Sequence, residues 1–300
     1  MPVSAALTPA LRARLRALAL RPRVAVAGGA LGQHLSRNRG TGLEFAQYRA
    51  YKPGDEPRRI DWKLFARSDR YFVRESERDS QLAVWVLVDA SASMAQADGA
   101  RPDWRKLDAA AALAACVFEV ALRQGDRFGL AVLSGDGVQI VPDGAGPRQR
   151  DRCCIALDRL RPTGSVPGEA ATRSVWEKIP AGALVIALSD FFDGGLVELL
   201  LKLAATRREC YAVQLIGADE RDFPFRAGHR FRDPESGVEL DADGPSARAD
   251  FLARFAAANA ALAQRFAAAG IRSARHELDE ELAAPLARLL SARPAEKPGA

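Results

Sequence analysis

The stretch AVWVLVDASASM, Ala83–Met94, places six apolar residues directly before an Asp-x-Ser-x-Ser pattern. An unbroken apolar run that ends in polar residues predicts a strand buried on both faces, as in a parallel sheet. Open α/β sheets bind their ligands at the carboxyl ends of such strands. Asp89, Ser91 and Ser93 stand at this end as hard oxygen donors, which suit a cation of the magnesium class. An Asp or Ser after a strand also serves as an N-cap for the next helix, so the pattern alone leaves both roles open.

Strands and helices alternate from residue 81 onward, which is the pattern of a mostly parallel α/β sheet. A second all-apolar strand, 183–188, leads to Asp190 and again places an acid at a strand end. The Gly-Asp-Gly turn at 135–137 predicts a hairpin, so one edge strand should be antiparallel. The polar segment 219–247 predicts an insertion that contains a second hairpin.

The basic residues are concentrated near the N-terminus. Residues 1–80 carry 16 Lys+Arg against 8 Asp+Glu, whereas residues 81–300 carry 27 against 30. Such a segment can bind nucleic acid or an anionic membrane surface, but its interleaved acids and aromatics favour a folded, salt-bridged module. We predict an accessory segment at 1–80, the sheet domain at 81–292 and a tail at 293–300. We also expect the sheet to fold without residues 1–42.

Cysteine spacing and hydropathy indicate a cytoplasmic protein. The four cysteines form no Cys-x-x-Cys pair, so neither a disulfide framework nor a zinc site is expected. This usage fits a reducing compartment. No stretch of about 18 uncharged apolar residues is present to span a membrane, and residues 1–20 lack the apolar core of a signal peptide.

The sequence contains no recognisable arrangement of catalytic residues. His34, His229 and His276 are far apart, and neither a phosphate-binding loop nor a Gly-x-Ser-x-Gly elbow occurs. We therefore expect no enzyme activity. The alternative is a Mg-dependent phosphoryl-transfer or hydrolase enzyme that uses Asp89 and Asp190, although no general base stands out.

A longer pattern, RxYxPGDxPRRIDWK, occupies residues 49–63 and is followed by Ala66-Arg67. Residues 60–67 predict about two helical turns, and 71–75 predict a strand. We interpret the segment as a structural cap that covers the sheet edge through Arg–carboxylate pairs and a buried Trp62. We favour this over a catalytic role, because networks of ion pairs are usually structural.

Two resemblances follow from these residues. The pattern at 49–63, followed by the Asp-x-Ser-x-Ser strand, resembles the bacterial family named domain of unknown function 58. The acidic residues of the insertion, at 219–220 and 233–237, are similar to that family too. The Asp-x-Ser-x-Ser strand, with a polar middle loop and Asp190, resembles the metal-ion-dependent adhesion site of a von Willebrand factor A domain. The resemblance implies a von Willebrand factor A-like, doubly wound, mostly parallel sheet with one antiparallel edge strand.

The resemblance also implies a set of metal ligands for Mg²⁺, or for another divalent cation such as Mn²⁺ or Ca²⁺. The residues matched to this set are Asp89, Ser91, Ser93 and Asp190. The remaining ligand is usually a threonine in the middle loop, which here reads Thr163-Gly164-Ser165-Val166. Ser165 and Thr163 are the two candidates, and a register that places Val166 there would leave one ligand missing.

Genes of the family commonly neighbour those of MoxR-type AAA+ ATPases. The resemblance therefore implies an adaptor or co-chaperone that works with such an ATPase and possibly with a client protein, without nucleic acid. An open coordination position would take a Glu or Asp from the partner, so binding should be lost with a chelator.

Overall fold

The computed structural model describes residues 3–21, 45–51, 60–76 and 81–291. The chain divides into two compact units, Ala25–Gln81 and Met1–Val24 together with Leu82–Ala300. The division near residue 81 lies close to the predicted one, but the first 24 residues group with the sheet domain instead of the accessory segment. Residues 52–59 of the 49–63 pattern and the tail 293–300 lie outside the described residues.

The described part of the chain contains ten strands. They are β1 (Phe45–Ala50), β2 (Phe72–Ser76), β3 (Ala83–Asp89), β4 (Arg127–Ser134), β5 (Gly137–Gly144), β6 (Leu184–Ser189), β7 (Glu209–Ile216), β8 (Gly228–Arg232), β9 (Glu239–Asp243) and β10 (Arg272–Glu277). Six of them form the central sheet in the order β10-β7-β6-β3-β4-β5. All neighbours are parallel except β4 and β5. This confirms the predicted α/β fold with one antiparallel edge strand.

The same residues contain ten α-helices. They are α1 (Val3–Ala6), α2 (Pro9–Leu15), α3 (Trp62–Ser68), α4 (Lys106–Gln124), α5 (Pro147–Asp158), α6 (Glu169–Lys178), α7 (Gly194–Ala205), α8 (Ala218–Asp222), α9 (Gly244–Ala268) and α10 (Ala283–Ser291). Within these ranges, none is both long and apolar enough to cross a membrane.

Apolar side chains cover both faces of the sheet. Val84, Val86 and Val88 of β3 belong to the core cluster that includes α4. Trp85 and Leu87 point to the opposite face and belong to the cluster that includes α7. Because side chains alternate between the faces of a strand, a run buried on both sides has to be apolar throughout, as the sequence indicated.

The first twenty residues add to the core on the α4 face. Leu7, Leu15 and Leu18 are buried there. The Arg123 guanidinium at the end of α4 donates to the carbonyl oxygen of Leu15 at 2.7 Å and to that of Leu18. The Gln124 amide bonds both backbone groups of Leu20. Side chains of α4 thus provide hydrogen-bond partners for backbone groups of residues 15–20 that lie at or beyond the end of α2.

The unit Ala25–Gln81 contains an antiparallel pair, β1 and β2, and the short helix α3. Asp61 caps α3 by accepting from two backbone N–H groups of its first turn. Trp62 is 58% exposed, so the prediction that it is buried was wrong. Trp62 is the first residue of a two-turn helix. Its indole contacts Phe65 and Tyr71 edge-on, and these two contacts cover only a small part of its surface.

Candidate metal centre

The ends of β3 and β6 meet where the strand order of the sheet reverses. The chain leaves β3 to form β4 on one side, and β6 later pairs with the other side of β3. Such a switch point is where α/β sheets bind ligands. Asp89 ends β3 and Asp190 follows β6 directly, and the Ser189 hydroxyl donates to Asp89 Oδ2 at 2.5 Å. The structure therefore brings the two predicted strand ends together through Ser189, which the sequence had not assigned a role.

The Asp-x-Ser-x-Ser loop turns its hydroxyls toward each other. The Ser91 amide donates to Asp89 Oδ1 at 2.8 Å, and Ser91 Oγ lies 3.1 Å from Ser93 Oγ. Both serines are buried. Ser91 precedes the 3-10 turn Ala92–Ala95 but its side chain makes no capping bond. The hydroxyls are thus not used as helix caps.

Backbone hydrogen bonds hold the middle loop, 163–166, against the Asp-x-Ser-x-Ser loop. The Thr163 amide donates to the Ala90 carbonyl oxygen at 2.9 Å, and the Ala92 amide donates to that of Gly164 at 2.7 Å. Gly164 has a φ of 52°, and a Cβ there would lie 2.7 Å from the Cα of Gly135. Only glycine fits this close approach and positive φ.

The two candidates for the middle-loop ligand differ in their surroundings. Thr163 Oγ1 donates at 3.1 Å to Oδ2 of Asp136, which lies in the turn between β4 and β5. Ser165 is exposed, whereas Val166 is buried and its amide donates to Asp193 Oδ2 at 3.2 Å. Ser165 therefore remains the candidate whose hydroxyl is open to a ligand.

Asp190 is paired with a lysine that sequence reasoning missed. Lys106 Nζ lies 3.1 Å from Asp190 Oδ2 and 2.6 Å from Glu220 Oε1, with the Phe192 ring at 4.6 Å. The Lys106 and Asp190 side chains have no exposed surface. No local pattern marks a lysine at the start of a helix as a partner of an acid 84 residues away. Glu220, in contrast, lies in the acidic stretch matched to the family.

The backbone after Asp190 is strained. Phe191 has a φ of 59°, which is an unusual conformation for a bulky residue. The Phe191 amide donates to the Ser189 hydroxyl at 2.8 Å, and the Phe191 ring packs edge-on against that of Phe266, with 5.2 Å between ring centroids. Backbone strain of this kind persists where the surrounding structure fixes it, and it is concentrated at functional sites.

Burial and like charge act together on Asp89. Burial, followed by the nearby Asp190 carboxylate, raises the pKa of Asp89 to about 6, and hydrogen bonds from Ser189 and Ser91 oppose the shift. Burial likewise raises the pKa of Glu220, although Lys106 opposes it. Of these three buried carboxylates, Asp190 and Glu220 pair with the Lys106 ammonium group.

The donor set is compatible with a small divalent cation. Adjacent ligands of an octahedral Mg²⁺ lie about 2.9 Å apart, close to the 3.1 Å between the Ser91 and Ser93 hydroxyls. A cation would also relieve the repulsion between Asp89 and Asp190. Across the described ranges, no group of three or more His, Cys, Asp or Glu side chains is arranged to hold a metal. The hydroxyl oxygens and water would therefore be required as ligands.

The fold defines this chain as an α/β protein with a mostly parallel sheet. Residues 47–261 match the family described as "Protein of unknown function DUF58", and the chain belongs to that family. It is 30% identical over 291 residues to "Uncharacterized protein Rv1480" of Mycobacterium tuberculosis (strain ATCC 25618 / H37Rv) and to "Uncharacterized protein Mb1516" of Mycobacterium bovis. The alignments cover 95% of this chain and 90% of each relative.

Solved structures with weaker similarity include an aerotolerance-related membrane protein from Bacteroides fragilis NCTC 9343, at 15% identity and a TM-score of 0.44, covering 70% of this chain and 96% of that one. The SpRpn10 VWA domain aligns at 11% identity with a TM-score of 0.40, covering 70% and 95%. At these values the similarities carry no argument about partner or activity.

Proposed function

We propose that this protein is a divalent-cation-dependent interaction module that works as an adaptor or co-chaperone of a MoxR-type AAA+ ATPase. Asp89, Ser91, Ser93 and Asp190, with Ser165 as the middle-loop candidate, would hold the cation. When bound, the cation would offer a coordination position to a carboxylate of another protein.

The observation that carries this proposal is the convergence of buried oxygen donors at the switch point of the sheet. The Ser189 hydroxyl bond holds the Asp89 carboxylate in place, and the middle loop is hydrogen-bonded to the same turn. Such a preorganised set of hydroxyls beside two acids is costly to bury unless it serves a charged ligand.

The ATPase partnership is supported by the family alone. Family genes commonly neighbour MoxR-type ATPase genes, and von Willebrand factor A-like folds generally mediate protein interactions. The site chemistry adds the expectation that the ATPase, or a client it handles, presents an exposed Asp or Glu.

Phosphoryl transfer is the less favoured function. Asp190 is engaged by Lys106, and His276 lies buried in β10, at the far edge of the sheet from β4 and β5. A screen against phosphate esters that compares wild type with Asp89→Ala separates the two functions.

The test is a capture experiment with a purified MoxR-type ATPase. The immobilised protein should retain the ATPase in Mg²⁺ buffer, release it with EDTA and recover it when Mg²⁺ is restored. Asp89→Ala should lose capture, whereas Asp151→Ala, which removes an exposed acid of α5, should not. Capture that ignores the chelator would remove the cation from the interface.

A further inference from the structure

The insertion hairpin has a rigid turn at its tip. The Asp233 amide donates to the Val238 carbonyl oxygen, and the Gly237 amide donates to that of Asp233, both at 2.8 Å. The Asp233 carboxylate accepts from the Glu235 amide at 3.0 Å and from the Ser236 hydroxyl. Gly237 takes a φ of 72°. These bonds fix the backbone on both sides of Glu235.

The base of the hairpin is fixed as well. Phe231 of β8 stacks on Phe223 at 5.6 Å, and Phe223 also contacts Phe251 of α9 at 4.5 Å. Helix α9 starts directly after β9, where a Cβ on Gly244 would lie only 2.4 Å from the Phe225 carbonyl oxygen. The aromatic packing and this close backbone contact anchor the hairpin to the sheet domain.

The Glu235 side chain lies at the candidate metal centre. The Ser93 hydroxyl lies close to its carboxylate, and Asp193, Asp190 and Asp89 are near enough to act on it electrostatically. Burial and these acids raise its pKa. Glu235 Oε1 is enclosed and has no hydrogen-bond partner within the described chain.

This position is unfavourable for a carboxylate unless a cation is present. Lys106 is bonded to Asp190 and Glu220, and the described groups that act most strongly on Glu235 are acids and a hydroxyl. Asp193 already accepts from two backbone amides, those of Gly195 and Val166. A rigid turn therefore holds an unpaired, partly buried carboxylate among other acids.

We propose that Glu235 is an intrachain ligand of this centre, seated where the carboxylate of a partner would bind. The inference rests on the proposed cation site and adds that the site is occupied from within the chain. A partner carboxylate must then displace the hairpin tip 233–238 to gain access. The exposed hydrophobic residues of the hairpin, Val238 and Leu240, would move with it.

The test measures Mg²⁺ binding by calorimetry and uses acetate as a substitute carboxylate. Glu235→Ala should weaken Mg²⁺ binding about tenfold or more, as loss of a supporting ligand does. Acetate, but not chloride at equal ionic strength, should restore part of the affinity. Glu239→Ala is the matched control, because Glu239 lies in the same hairpin but is exposed and pairs with Arg230. It should bind Mg²⁺ as wild type does and show no acetate effect.

A second readout is independent of metal affinity. Without divalent cations, Glu235→Gln should raise the melting temperature, because it removes a charge repelled by Asp89, Asp190 and Asp193. In wild type, Mg²⁺ should slow amide hydrogen exchange at 233–238, and Glu235→Gln should abolish that protection.

The outcomes separate this inference from the proposed function. If Asp89→Ala abolishes Mg²⁺ binding while Glu235→Ala retains wild-type affinity and the hairpin exchanges at the same rate with or without Mg²⁺, the cation site stands and the intrachain ligand is overturned. If wild type binds no Mg²⁺, both fail. Weaker binding in Glu235→Ala with no acetate rescue would also count against a ligand role.

Discussion

At Asp89 burial disfavours the charged carboxylate that the proposed cation site requires. Its carboxylate is 1% exposed and lies beside Asp190, so the charged form is disfavoured without a cation. Structural needs alone would be better met by a neutral side chain. A carboxylate at this position is explained if the site binds a cation.

Asp89→Asn should therefore have opposite effects with and without metal. In metal-free buffer near neutral pH the variant should be more stable than wild type by about 3 kcal/mol, as follows from a pKa near 6 against an unfolded value of 3.8. Adding Mg²⁺ should raise the melting temperature of wild type but not of the variant. Calorimetric melting with Asp151→Asn as control checks both signs, and a Mg²⁺ shift that survives in Asp89→Asn would contradict the site.

His276 gives the fold a defined acid sensitivity. Burial lowers the pKa of His276 to about 4, although Glu280 opposes the shift. The unfolded chain binds the proton below about pH 6.5 while the folded chain does not, so stability is full above that pH and is lost as the pH falls toward 4. The expected contribution is about 3 kcal/mol.

His276→Leu should reduce the loss of stability between pH 7.5 and 4.5 by about that amount. Urea unfolding at the two pH values measures it. His229→Leu, which replaces an exposed histidine, should retain the acid sensitivity of wild type. Equal losses in all three proteins would show that His276 does not govern this transition.

At the scale of elements, the start of α4 holds a cation where the helix dipole disfavours one. Lys106 is the first residue of α4 and is bonded to Asp190 and Glu220. The helix thus supplies the positive charge that allows two acids to be buried at the end of the sheet.

Lys106→Met should destabilise the protein by about 3–5 kcal/mol, because it leaves two buried carboxylates without their partner. The rise in melting temperature on adding Mg²⁺ should become larger than in wild type, since Asp190 is released for the cation. Lys202→Met, which removes an exposed pair with Glu169, should change neither quantity. An unchanged Mg²⁺ shift in Lys106→Met would separate Asp190 from the cation.

The middle loop depends on glycine geometry. Gly164→Ala should cost about 2 kcal/mol or more, because its positive φ disfavours a Cβ and because that Cβ would press on the backbone of Gly135. Mg²⁺ affinity should fall with it, since the loop is bonded to Ala90 and Ala92. Gly168→Ala has open space and a negative φ and serves as the control. Equal urea midpoints for the two variants would contradict this account.

At the scale of the whole molecule, the N-terminal residues belong to the sheet domain. Leu7, Leu15, Leu18 and Leu20 are buried in the cluster that includes α4. The expectation that the sheet folds without residues 1–42 stays a prediction, and a deletion of that range would remove these four leucines from the core. Burial of each leucine side chain stabilises the folded state by about 1.5–3 kcal/mol, before the entropy cost of ordering the segment is subtracted.

Deletion of residues 1–20 should lower the melting temperature by on the order of 10 °C, because it exposes the face of α4 that these leucines cover. Arg254→Ala, which removes an exposed ion pair with Asp250 on α9, is the control and should leave the melting temperature unchanged. A truncated protein as stable as wild type would show that the N-terminal contacts contribute nothing net.

Local sequence patterns were sufficient to predict the fold class, the order of elements and the two strand ends. Side-chain periodicity is local, so the apolar runs of β3 and β6 identify buried parallel strands. The Gly-Asp-Gly turn before β5 identifies the antiparallel edge. The position of Asp89 and Asp190 at one end of the sheet follows from parallel strands alone.

The surroundings of those two acids could not be predicted in the same way, because they depend on packing between distant elements. Lys106, Glu220 and Glu235 reach the site from a helix start, a short helix and a hairpin tip, so their meeting depends on how these elements pack. The exposure of Trp62 was likewise a matter of packing, which composition does not reveal. Local patterns specify elements because they act within a few residues, whereas the charge balance of a buried site is set by side chains distant in sequence.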